Sequence, residues 1–170
     1  MLTDQDIYLF REGTHGRLYT ELGSHAAADG SGVHFAVWAP NASEVSVIGD
    51  WNGWNAQSNR LAPRSDHSGI WEGTVPGVQH GQAYKYRITS HVGGYRVEKA
   101  DPFATFCELP PATASRVWNL DYAWQDETWM SSRAARNGLD APMSIYELHV
   151  GSWRRKDRSE EHTSELQSLV

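Results

Sequence analysis

The sequence predicts an all-β fold, an antiparallel β-sandwich with short flanking helices, and three observations carry that expectation. Short stretches alternate apolar and polar residues with a period of two, Pro, Gly and Asn punctuate the gaps, and no helical pattern intervenes among the strands. A chain of 170 residues can bury one core with short extensions, which excludes a large multidomain enzyme.

Residues 4 to 10, DQDIYLF, start at Asp4 and place Ile7, Leu9 and Phe10 in a short apolar stripe, which predicts a helix. The small, polar run from Gly23 to Gly32 reads as a loop. From Val33 the period becomes two: Val33, Phe35 and Val37 share one face, and His34, Ala36 and Trp38 the other. Pro40-Asn41 makes a turn into a second strand, Glu44 to Asp50, and the pair reads as a hairpin. Ile70 to Val75, Ala83 to Ser90, Tyr95 to Glu98 and Ala114 to Trp118 complete six predicted strands. Trp38 and Trp71, mid-strand, are expected in the core, and Trp118, Trp124 and Trp129 are expected to join the sandwich to the linker. Asp126 to Arg136 carries a helical pattern that ends at Asn137-Gly138. Beyond Pro142, SIYELHVGSW alternates like a strand but finds no partner of its kind in the remaining residues, so it reads as the first strand of another domain. Residues 158 to 170, RSEEHTSELQSLV, bear no relation to the residues before them and resemble the translation of a sequencing adapter, so they are expected to be non-native.

Charge and composition narrow the function. A formal net charge of -6 leaves no basic field for a phosphate backbone, so nucleic acid is not an expected partner. No run of 18 apolar residues predicts a membrane span, and the lone Cys107 fits a reducing, cytoplasmic setting. The eight His lack HxxxH or HxH spacing, and neither a phosphate-binding glycine loop nor a nucleophile elbow occurs, so no metal, cofactor or catalytic residue is expected. What remains is aromatic: 8 Trp, 7 Tyr and 4 Phe, more rings than a small core needs. The segment Gly49-Asp50-Trp51-Asn52-Gly53-Trp54-Asn55 puts two indoles in four residues at the end of a strand. An indole covers the apolar C–H face of a sugar while Asn, Asp or Lys meets its hydroxyl rim, and Lys85 lies on the strand face opposite Tyr84 and Tyr86. Capping of the core is the competing reading, favoured for Trp51 and open for Trp54.

LFREGTHGRLYTELGSH, GVHFAVWAPNASEVSVIGDWNGWN, YKYRI, KADPFA, TASRVW and SIYELHVGSWRR together resemble the N-terminal part of bacterial 1,4-α-glucan branching enzymes, in order, over nearly all of residues 4 to 156. FAVWAPNA with GDWNGWN resembles carbohydrate-binding module family forty-eight, an immunoglobulin-like β-sandwich. The resemblance implies an N-terminal helical extension over 1–31, a carbohydrate-binding sandwich over 32–121, a helical linker over 122–141 and the start of a truncated catalytic (β/α)₈ barrel over 142–157, with the non-native tail at 158–170. It implies a retaining transferase of the α-amylase superfamily, in which two carboxylates flank an α-1,4 bond and a glucan hydroxyl takes the place of water to form an α-1,6 link. Those carboxylates belong to later barrel strands, so this chain is expected to be inactive alone. The implied partners are α-glucan (glycogen or amylose-type chains) and the protein's own barrel. The carbohydrate-binding set is Trp54 and Lys85, where the motifs match, then Trp51, Asn52 and, more loosely, Tyr95. Alternatives are a purely structural domain without ligand, or the same module from another enzyme of the superfamily such as a debranching enzyme.

Overall fold

The computed structural model describes residues 2 to 149. A first compact unit runs to Asp121 and a second begins at Tyr122.

Two antiparallel sheets face each other in the first unit. One has the order β1 (Gly23–Ala26), β2 (Val33–Trp38), β5 (Ile70–Val75), β4 (Ala62–Pro63). The other runs β3 (Ala42–Gly49), β6 (Ala83–Ser90), β9 (Ser115–Arg116), β8 (Phe106–Cys107), with β7 (Arg96–Lys99) also paired to β6. Alternation decides which residues meet between the sheets. Val33, Phe35 and Val37 of β2 pack with Val45 and Val47 of β3, Tyr84 and Tyr86 of β6, Trp71 and Val75 of β5, and Leu61. Full burial of each such aliphatic or aromatic side chain contributes roughly 1.5–3 kcal/mol.

The outer face of the first sheet is covered too. Helix α1 (Asp4–Glu12) is capped by Thr3, which exchanges hydrogen bonds with Asp6 as a capping box. Its Ile7 and Phe10, with Leu2, Leu18 and Leu22, sit on Ala36 and Ile70. Arg64 ties this layer down: it donates to Asp66 (2.7 Å), Glu72 (2.6 Å) and the Leu2 carbonyl (3.4 Å), and Arg11 of α1 donates to the Asp66 carbonyl.

The architecture is the predicted sandwich, and several local readings are corrected. The first helix starts at Asp4, as expected, and Thr3 caps it. The expected loop from Gly23 contains β1, an edge strand whose small residues carry no alternation to read. Strands β2 and β3 do not form a hairpin: β2 pairs with β1 and β5, and β3 pairs with β6. The turn at Pro40-Asn41 is a corner between the sheets, because Phe35 and Val37 must face Val45 and Val47 rather than lie beside them. The two-residue strands β4 and β8 are too short to give a period. Trp38 is 55% exposed, with its N–H donated to the Ser68 carbonyl (3.1 Å), since its β2 face is the outer one, beside Phe10 of α1.

The second unit contains helix α2 (Glu127–Arg136), with Asp126 at its N-cap position and the Arg136 guanidinium 5.9 Å from the Trp129 ring centre. Trp124 and Trp129 are exposed, and Trp118, in the first unit, stacks on Phe106 (4.4 Å between centroids). Residues 144 to 149 of the expected barrel strand carry no regular strand. Its remainder and the segment 158–170 lie outside the described residues.

Candidate functional site

The segment 49–55 folds into a short 3-10 turn at the end of β3, and each residue has a separate task. Gly49 pairs with Tyr84, and a Cβ there would stand 2.5 Å from the Ala83 carbonyl and 2.6 Å from the Trp51 ring, so only glycine lets the indole lie this close. Asp50 accepts the Ala83 N–H (2.8 Å), clamping the turn to the start of β6. Trp51 turns inward: its ring stacks on Phe35 (5.8 Å, 28°) and its N–H goes to Asn59 (3.1 Å). Asn52 uses its whole side chain on the loop. Its Oδ1 accepts from Gly49 (3.0 Å) and Asn55 (3.3 Å), and its Nδ2 donates to Val47 (3.0 Å) and Asn59 (2.6 Å).

Trp54 is the residue that this loop puts on display. It is 40% exposed, and its backbone has φ 62°, a left-handed conformation that costs a bulky L-residue about 1–2 kcal/mol. Gly53 before it has φ 60°, and the Trp54 N–H is held by the Gly49 carbonyl (3.0 Å). Strain of this kind persists where the surroundings over-determine it, and it concentrates at ligand-contacting positions.

Lys85 stands at the same end of the sheet, on β6 opposite Ile48 of β3, one ladder position from the Gly49–Tyr84 pair. Its ammonium donates to the Thr113 hydroxyl (2.8 Å), which leaves two of its three donors for other partners. The inner face of the same strand is locked. Asp101, buried, accepts the hydroxyls of Tyr84 (2.6 Å) and Tyr86 (3.2 Å) and the Phe103 N–H (2.8 Å), while its own N–H goes to Ser115 (2.8 Å). Burial pushes the Asp101 carboxyl above its usual range and lifts both phenols well above theirs.

Of the five predicted residues, Trp54 and Lys85 belong to the same end of the β3–β6 ladder, Trp54 through its N–H on the Gly49 carbonyl and Lys85 through its pairing with Ile48. Trp51 and Asn52 hold the loop, the first by its ring in the core and the second by four internal hydrogen bonds. Tyr95 is exposed but lies beyond Thr89, which is four residues along β6 from Lys85, or about 13 Å at the usual strand rise. Thr113 is a partner of Lys85 that sequence reasoning missed; the only signal was its place in TASRVW.

The site is thus an inward Trp, a pinned Asn and a displayed Trp on a two-sheet β-sandwich. Residues 21–104, just under half of the chain, match the family described as carbohydrate-binding module 48 (isoamylase N-terminal domain). More particularly, the chain is similar over about nine tenths of its length to 1,4-alpha-glucan branching enzymes. It is 62% identical to that of Albidiferax ferrireducens over 157 residues, 92% of this chain and 25% of the relative. With the enzyme of Aromatoleum aromaticum it shares 58% over 154 residues, 91% of this chain and 24% of the relative. The chain thus spans about a quarter of the length of these curated relatives. Among solved structures it is similar to PulA from Klebsiella pneumoniae in its maltotriose complex (TM-score 0.50, 26% identity, 65% of this chain and 12% of that one). Similarity to PulA from Klebsiella oxytoca is the same in TM-score and identity, over 65% of this chain and 11% of that one.

Proposed function

We propose that this chain is the glucan-contacting, N-terminal part of a cytoplasmic 1,4-alpha-glucan branching enzyme, and that it binds α-glucan without catalysing its transfer. The observation that carries the reading is Trp54: an indole held in a strained conformation and partly exposed on the loop that follows β3. The ring would lie against the C–H face of a glucose unit while the Lys85 ammonium donates to a hydroxyl. Stacking with one or two hydrogen bonds suggests a dissociation constant of about millimolar, roughly 4 kcal/mol. Such weak contact serves an enzyme acting on a polymer, because tethering raises the local concentration of chain ends. The acid–base carboxylates would come from the remaining three quarters that the relatives possess.

The likeness to PulA supports a second reading, the same module from a different α-glucan enzyme; identity of 62% against 26% favours the first. A purely structural sandwich is the third. Electrophoresis of the chain in native gels with and without glycogen tests binding: retardation specific to the glycogen gel is expected, and equal mobility in both leaves only the structural role.

A further inference from the structure

A second feature lies on the outer face of the five-stranded sheet and belongs to none of the machinery above. Two rows of side chains cross this face. In one, Ser46 of β3 is flanked by Arg60 on one side, through a β-bridge, and by Arg87 of β6 on the other, with Glu98 of β7 next in line. In the neighbouring row Glu44 faces Thr89, and Thr89 faces Arg96. Directly opposed residues stand about 4.5–5.5 Å apart at Cβ, so Arg60 and Arg87 flank Ser46 closely while Arg96 reaches the same face from the next row. A pocket of about 250 Å³ opens there, walled by Glu44, Ser46, Gln57, Arg60, Arg87 and Arg96 among others. It is smaller than the roughly 300–1,000 Å³ of a drug-sized site and suits a single small group.

Two facts set the chemistry of that group. Ser46 is 1% exposed and its Oγ has no hydrogen-bond partner among the described residues, although a buried hydroxyl left unpaired bears its whole desolvation cost. The walls, meanwhile, are rich in donors that cannot accept. A guanidinium has five N–H donors and no acceptor. Arg60 gives its Nε to Glu44 (3.0 Å) and Arg87 one Nη to Glu98 (2.6 Å), while Arg96 meets no carboxylate among the described residues. One positive charge is therefore left in excess, in a chain whose formal net charge is -6. What is missing is a compact partner that only accepts and carries negative charge.

We propose that this pocket binds a phosphate-type oxyanion, either free or as the monoester group of a larger molecule. One oxygen takes the Ser46 hydroxyl proton in a hydrogen bond, and the others accept from the open edges of Arg60, Arg87 and Arg96, the geometry that planar guanidinium groups favour. Binding is independent of Trp54, because no residue is shared.

The test is an NMR titration of the full chain, observing arginine Nε–H and backbone amides, with inorganic phosphate, methyl phosphate and maltotetraose at matched ionic strength. Saturable shifts at Ser46, Arg60, Arg87 and Arg96 with phosphate are expected. Arg96→Gln, at an exposed hairpin position, should weaken binding about tenfold and leave the melting curve unchanged. Ser46→Ala should weaken it as well, with its fold checked by the same melt. Response to methyl phosphate as well assigns the site to ester-borne groups, and response to inorganic phosphate alone assigns it to the free ion. No saturable shift with either phosphate, unchanged affinity in Arg96→Gln, or a response to maltotetraose equal to that of phosphate would each overturn the proposal. Loss of glycogen retardation in Trp54→Ala with the phosphate response intact separates this pocket from the glucan reading.

Discussion

Replacing Trp54 by Ala removes the one ring that the loop displays, and its effect on glucan binding can be worked from exposure. A Trp side chain presents up to about 250 Å². At 40% exposure roughly 100 Å² is open to solvent, and a glucose unit lying on one face would cover about half of that. Some 50 Å² at about 25 cal/mol per Å² contributes roughly 1.3 kcal/mol, close to a factor of ten in affinity. From a millimolar starting point that takes the dissociation constant to about 10 mM, beyond what a glycogen gel retains. The assay is migration in native gels over a glycogen concentration series, with urea unfolding run beside it. Retardation should disappear while the unfolding transition stays cooperative. Undiminished retardation in a folded Trp54→Ala chain would rule out this ring as the glucan contact, since no other described indole on this loop is available: Trp51 is stacked on Phe35.

The same geometry fixes three further outcomes. Trp54→Gly and Trp54→Ala lose the same packing, but only glycine relieves φ 62°, so the Gly variant should be the more stable by about 1 kcal/mol in denaturant titration, against the usual order. Tyr84→Phe takes from buried Asp101 its shortest hydrogen bond and should cost about 1.5–3 kcal/mol in the same measurement, with Asp101→Asn making the two changes non-additive. Acid should loosen α1 before the sandwich. Hydrogen bonds from Thr3 and His15 hold the Asp6 carboxyl at about 2, and those from Ser68 and Arg64 overcome burial to hold Asp66 at about 2. A folded value below the ordinary 3.8 means stability fully present above that pH and lost as pH falls toward 2, so the Trp38 indole signal, in contact with Phe10 of α1, should change in that window. Asp101 has the opposite sign: its raised value makes its contribution decline as pH rises above 3.8.

The alternation of Val33, Phe35 and Val37, of Val45 and Val47, and of Tyr84 and Tyr86 made the sandwich legible, because a strand buried on one face must write that face into its sequence. Alternation says which face is buried and not which strand lies alongside, which is why the corner at Pro40 reads as a hairpin. Nor does it tell the inner face from an outer face that a helix covers: His34, Ala36 and Trp38 look alike in sequence, yet Ala36 is buried beneath α1 and Trp38 stands half in solvent. At the site, the motif GDWNGWN located the loop, but the division of labour within it depends on long-range partners. Asn59 holds Trp51 and Asn52 from outside the motif, and Phe35 receives the Trp51 ring from the other sheet. The row of Arg60, Ser46 and Arg87 is invisible in sequence, being assembled from three separate segments by ladder register alone.

Indole N–H resonances of the full chain, tracked during titration with maltotetraose, address the displayed ring directly. Saturable movement of the Trp54 signal alone among the indoles of its loop and core is expected, with those of Trp51 and Trp71 fixed by Asn59 and the Ala39 carbonyl. Movement of the Trp51 or Trp71 signals with Trp54 unmoved, or no movement at sugar concentrations well above the millimolar range, would contradict it.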